Sequence, residues 1–201
     1  MADPEQGYVN EFSIKAIYLP NTIKTIGNNA FKETLIENIA LPETLTTIGE
    51  GAFNNVKKLA LAALPTNLVK LGARAFAGCS NITISELPAG ITKIPTQCFA
   101  LCPKLKITQL GGPEFKALEI ERNAFISAAT DSSITELSIL KPVSFTDEAL
   151  ASSVFTNGYS NIATLTVHSL FGFEDESNMV TRLFGGAVPA TLKTITVLAD
   201  N

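Results

Sequence analysis

The sequence predicts a solenoid: a curved α/β-type superhelix with short parallel strands on one face and turns and short helical or 3-10 segments on the other. Three observations carry this. An aliphatic triplet of the form L-x-x-L-x-L recurs eight times between Ile14 and Val197. Most copies lead into the same marks, a Pro, a pair of aliphatics three apart and an Ala-Phe pair. The Phe that closes each unit returns at spacings of 22, 23, 23, 26, 30 and 29 residues. Self-similarity at a period of about 20–30 residues is the signature of stacked repeats.

The triplets are Ile14/Ile17/Leu19, Ile36/Ile39/Leu41, Val56/Leu59/Leu61, Cys79/Ile82/Ile84, Cys102/Leu105/Ile107, Ile134/Leu137/Ile139, Ile162/Leu165/Val167 and Leu192/Ile195/Val197. In the unit from Ile36 to Ala60, alternation around Ile39 and Leu41 puts both side chains on one face of a short strand. Pro42 ends that strand, because its φ is fixed and it has no amide donor. Leu45 and Ile48, three apart, suit a tight turn or a short extended segment tucked under the next coil. Gly49 is placed to take a positive φ where the chain bends. Ala52 allows close approach and Phe53 fills the interior.

The marks stay in register: Pro20, Pro42, Pro65 and Pro88, then Ile23/Ile26, Leu45/Ile48, Leu68/Leu71 and Ile91/Ile94. Gly27, Gly49 and Gly72 follow, with Pro95 in the fourth place. The aromatic series is Phe31, Phe53, Phe76, Phe99, Phe125, Phe155 and Phe184. The expectation is one domain over residues 1–201 with about eight strand repeats, regular over 14–107 and insertion-bearing over 108–201. One unit cannot bury its apolar face alone, so stacking builds an aliphatic column at each strand position and a Phe spine behind it.

Apolar residues make up 46% of the chain and charged residues 17%, enough for a core and no case for disorder. Net charge is −4 and no Lys/Arg run exceeds two, so a nucleic-acid groove or a polybasic membrane patch is not expected. The polar start Met-Ala-Asp-Pro-Glu-Gln lacks the pattern of a signal peptide, and no apolar run approaches the ~20 residues that span a bilayer. A cytosolic protein and an excised piece of a larger exported one both fit. Cys79, Cys98 and Cys102 are too few, and odd in number, for a disulfide framework.

The run Leu-Pro-x-x-Leu-x-x-Ile-Gly-x-x-Ala-Phe, as in Leu41 to Phe53, with its close variant from Leu64 to Phe76, resembles the BspA-type class of bacterial surface leucine-rich repeats. The resemblance is close over residues 14–107 and looser to 197, where Leu-Pro and Ile-Gly erode. It implies a leucine-rich-repeat solenoid and a non-catalytic module on a bacterial or protist surface. It also implies a protein or glycan ligand, host extracellular matrix among the candidates, with an extracellular or cell-surface location.

No motif for chemistry emerges, and no cofactor or metal is expected. His168 is the only histidine, and its neighbour Ser169 does not make a triad by adjacency. Cys79 and Cys102 share the first triplet position, so stacking brings them within disulfide reach; the alternative is a pair of small buried hydrophobes. Cys98-x-x-x-Cys102 has no supporting His or second Cys pair for zinc. The run Glu174-Asp175-Glu176 lacks the ligand alternation and turn Gly of a calcium loop and reads as a solvated loop. Asn81-Ile82-Thr83 fits the glycosylation pattern, but Ile82 is a strand-core residue. Gly111-Gly112 and Gly185-Gly186 lack the Lys of a phosphate loop and read as turns.

Binding falls on two surfaces. Residues between triplet members point outward: a small, polar, Thr-rich face with a lysine group at Lys57, Lys58, Lys104 and Lys106. It is either a ligand face or a solvated one. The insertions carry aromatics off the repeat register, namely Phe115, Phe145, Tyr159, Phe171 and Phe173. These are exposed anchors, or they fold back as satellite cores. The reading is an adhesion-like binding module; the rivals are a structural spacer and an intracellular interaction scaffold. Tyr8 and Phe12 are placed to cover the N-terminal end, and the last strand is left as an edge open to end-to-end self-association or a further domain.

If the Phe register is right, Phe76→Ala opens a core cavity and costs about 3–5 kcal/mol. A urea melt of that variant matching the parent would show the register to be wrong.

Overall fold

The computed structural model describes residues 14–168 and 174–198. In chain order its elements are β1 (Ala16–Tyr18), β2 (Thr25–Ile26), β3 (Asn38–Ala40), β4 (Thr47–Ile48), β5 (Lys70–Leu71), β6 (Lys93–Ile94), β7 (Gln109–Leu110), β8 (Leu118–Ile120), β9 (Glu136–Ile139), β10 (Val143–Phe145), α1 (Asp147–Ser152), β11 (Thr164–Val167), α2 (Glu176–Phe184) and β12 (Thr194–Val197). Among the described residues all strand pairs are parallel and join one coil to another, so the fold is a parallel-strand β-solenoid.

The first ladder is the triplet column. Ile17 stands opposite Ile39, Leu165 lies between Leu137 and Ile195, and Val167 lies between Ile139 and Val197. The column is not a strand throughout, contrary to the expectation. Val56–Leu61, Cys79–Ile84 and Cys102–Ile107 have no regular strand, although every triplet side chain in them is buried. Neighbouring coils meet there through isolated bonds, such as Thr83 N–H to the Leu61 carbonyl and Lys106 N–H to the Ile84 carbonyl, both 2.9 Å. The adjoining Ala62, Ala63, Ser85 and Glu86 are exposed, so water serves their backbone groups. In the fifth coil the strand also starts late: Leu110, not Ile107, lies opposite Ile139.

The second ladder is built from the segment read as a turn or short extended piece. Ile26, Ile48 and Leu71 pair in one sheet, and Ile94, Ile120 and Phe145 in another. Each inward residue follows an outward polar one such as Thr25, Thr47, Lys70 or Lys93, the period-two alternation of a half-buried strand. Gly49 directly after this strand does not have the positive φ that its place in the repeat predicts, and neither does Gly72. Their requirement is space: a Cβ on Gly72 would overlap the backbone nitrogen of Glu50 in the coil below.

The third ladder runs through the Phe corner. Phe31, Phe53, Phe76 and Phe99 donate their amides to the carbonyls of Ala52, Ala75, Cys98 and Ala124 at 2.8–3.0 Å. Two residues before the Phe the chain is left-handed at Asn29, Gly51, Arg74, Gln97 and Asn123; Ser153 has a positive φ with an extended ψ, and Arg182 before Phe184 is helical. Two residues after the Phe the chain is again left-handed at Glu33, Asn55, Gly78, Leu101, Ser127 and Asn157. These flanking amides also bridge coils, as Gly51 to the Ala73 carbonyl and Asn55 to that of Ala77. The rings stack with centroids 5.2–5.7 Å apart from Phe31 to Phe184.

Among the described residues, two of the insertions contain a short helix. Thr146 caps α1 by accepting from Ala149 N–H, and Asp175 caps α2 by accepting from Asn178 N–H. Gly185 ends α2 in the left-handed conformation. The helix buries Met179, Val180, Leu183 and Phe184, and its last two residues take the places of Ala and Phe in the spine.

Gly72→Ala should therefore destabilise the fold by about 1–3 kcal/mol through overpacking against backbone. The check is its urea midpoint; a value equal to the parent would remove close approach as the reason for this glycine.

Candidate functional site

The aromatics proposed as anchors divide. Phe171 and Phe173 lie outside the described residues. Tyr159 is fully buried, not exposed: its ring stands edge-on to Phe125 and Phe155 at 6.0 and 5.3 Å. Its hydroxyl donates to the Ile107 carbonyl at 2.9 Å, and burial pushes its ionisation up from the usual phenol range. That bond serves a carbonyl in the stretch where the fifth coil departs from strand register. Phe115 is buried as well, at the edge of a hollow between the third, fourth and fifth coils. Neither offers an exposed ring to a partner. The i, i+3 spacing of Tyr159, Ile162 and Leu165 is the sequence signal for the first of these. Phe145 is partly buried against the core within β10.

The candidates for chemistry resolve similarly. Cys79, Cys98 and Cys102 are free and buried. Cys79 Sγ donates to the Phe53 carbonyl at 2.9 Å and Cys102 Sγ to the Phe76 carbonyl at 3.1 Å. Burial pushes the Cys79 thiol up to about 12 and raises the other two, so these thiols stay protonated and unreactive at neutral pH. His168 is half-buried, with Nε2 3.4 Å from the Val143 carbonyl. The acidic run is explained by α2: Asp175 is its cap and Glu176 lies in its first turn, where the helix dipole favours negative charge. Among the described residues no group of three or more His, Cys, Asp or Glu could hold a metal. None of their helices is long and apolar enough to cross a membrane.

The lysines form a surface. Lys57 and Lys58 lie exposed between the buried Val56 and Leu59, and Lys104 between the buried Cys102 and Leu105. The core residues on either side thus hold each lysine outward. Lys57, Lys58 and Lys104 rim a shallow groove of about 810 Å3, with Asn38, Ala60, Ser80 and Asn81 along it. Lys58 and Lys104 occupy one column, two coils apart, with Asn81 between them. Lys104 Nζ donates to Asn81 Oδ1 at 2.8 Å, and Asn81 Nδ2 donates to the Lys58 carbonyl at 3.4 Å. Lys106 is exposed beside this groove and lines the neighbouring hollow that reaches Phe115.

Three acids border the lysines. Glu37 is shared by Lys15 and Lys58 at 3.7 Å each, and Glu33 meets Lys32 at the same distance. Asp131 is held below the usual carboxylate range, first by hydrogen bonds from Ser133 and then by the fields of Lys106 and Lys104. Exposed pairs of this length contribute little to stability, so the lysines remain available.

Strand ladders, Phe spine and a solvated outer face define a leucine-rich-repeat solenoid. Residues 4–131 match the BspA type leucine rich repeat region in six copies, and the chain belongs to that family. No curated protein matches the chain. A leucine-rich repeat protein from Bacteroides ovatus is similar at 17% identity and a TM-score of 0.36, covering 92% of this chain. This chain spans 61% of that protein's length. The T. pallidum leucine rich repeat protein is similar at 16% identity and a TM-score of 0.44, over 94% of this chain and 72% of that one.

Tyr159→Phe should cost about 1–3 kcal/mol, because it leaves the Ile107 carbonyl without its phenol partner in the core. A parent-like urea midpoint would mean that another donor reaches that carbonyl.

Proposed function

We propose that the chain is a non-catalytic binding module of a bacterial cell-surface protein, adhesion-like in role, that engages a protein or glycan partner on the lysine-rimmed groove. Membership of a repeat family associated with bacterial surfaces supports the location. The observation that carries the reading is the groove itself. In a chain of net charge −4, three lysines from two coils converge on one shallow concavity in which Glu37 is the single acid. A stack that only needed solubility would have no reason to gather like charges there.

A structural spacer is the second reading, and one observation favours it: Phe115 and Tyr159 are packed inward, as in a stack whose loops serve stability alone. The two part experimentally. The protein and its Lys57→Ser/Lys58→Ser/Lys104→Ser variant are screened against extracellular-matrix proteins and a glycan array, with thermal melts alongside. A ligand bound by the parent and weakened at least tenfold in the equally stable variant is the expected outcome. Silence of the parent across the panel would move the weight to the spacer.

A further inference from the structure

Beside the lysine groove lies a second hollow of about 480 Å3, lined by Glu33, Thr34, Leu35, Asn55, Lys57 and Lys58. The two concavities share Lys57 and Lys58, so they adjoin at these lysines and together make a track along the stack. Its ends differ chemically. At the first coil Leu35 stands 57% exposed, while its Phe-relative equivalents in the next coils are Lys57, Ser80 and Pro103. At the far end are Lys104 and, beside it, Lys106. We infer that this track binds an extended acidic segment of a partner protein, with an apolar side chain seated at Leu35 and carboxylates meeting Lys58 and Lys104. The inference rests on the binding-module reading and names the partner's chemistry.

Spacing and charge point the same way. Coils are about 4.8 Å apart, so Lys58 and Lys104 are separated by roughly 10 Å. An extended chain in the polyproline conformation returns to the same face every third residue, at about 9.3 Å. Carboxylates three residues apart therefore reach both lysines. Two acids line the track, Glu33 and Glu37, but Lys32 and Lys15 outside it also pair with them, and the 3.7 Å contact of Glu37 with Lys58 is one an incoming carboxylate can replace. Among the described residues Lys57 enters no ion pair. The rim is made of lysines, flexible point charges suited to several carboxylate placements, rather than the planar fork of Arg. The exposed Leu35 favours a peptide over a sulfated glycan, which carries no apolar side chain to seat there.

The test uses the whole chain and a fluorescent peptide with Glu at every third position among prolines and a terminal Leu. Three probes accompany it: a Gln-for-Glu version, a version ending in Ser, and heparin. Binding of the Glu peptide should weaken steeply with salt, since exposed charges are screened. It should fall at least tenfold with the Gln version and in Lys58→Glu/Lys104→Glu, and several-fold with the Ser version or in Leu35→Ser. Lys58→Gln/Lys104→Gln serves as the milder variant if charge reversal impairs folding, which the thermal melt reports. Absence of Glu-peptide binding at low salt, or binding unchanged in the lysine variants, overturns the inference. So does heparin binding that needs the lysines but ignores Leu35. A matrix partner retained by the lysine variants would overturn the acidic-segment inference and move the module's site elsewhere. A parent that binds nothing would remove both.

Discussion

Coil-to-coil hydrogen bonding at the Phe corner sets the interval on which everything else is built. Each Phe amide reaches the carbonyl before the next Phe, as from Phe53 to Ala75 and from Phe76 to Cys98. Left-handed residues on either side turn their amides the same way, so the corner grips its neighbour at several points. For a non-glycine residue that conformation costs of order 1–3 kcal/mol. Arg74, Gln97 and Leu101 adopt it nonetheless, because the stacked coils hold them there. The ring separations then follow the coil interval rather than set it, at distances where offset aromatic pairs still attract.

With that interval fixed, the two remaining ladders are free to differ along the chain. Away from the end coils, where Ile14 and Val197 are exposed, the triplet column buries its side chains whether or not its backbone pairs as strand, as Ile82 and Leu105 show. Insertions enter where the Phe spacing lengthens, and among their described residues Tyr159 is folded into the core and α2 into the spine through Leu183 and Phe184. Polar side chains repeat with the coils as well. Asn28 accepts from Glu50 N–H, and Glu43 accepts from the amide and hydroxyl of Thr66. Glu121 accepts from Thr96 and lies 3.1 Å from Lys93. The lysine face is one stretch of this outer surface, presented by a rigid interior.

Periodicity along the chain was enough to specify the repeat, its spacing, the buried inner triplets, the Phe spine and the outward place of Lys58, Lys104 and Lys106. All of these are periodic, and stacking turns a period into a column with no further information. Periodicity could not decide what depends on the neighbouring coil. Leu45-x-x-Ile48 looks the same as a turn or as a strand until parallel partners at Ile26 and Leu71 are beside it. Gly72 shows only a small residue until the Glu50 backbone occupies the space a Cβ would need. Tyr159 and Phe115 read as loop aromatics because the insertions break the register that would have marked them as core. Only the tertiary structure closes those insertions against the stack, since burial is a property of what lies across the chain and not along it.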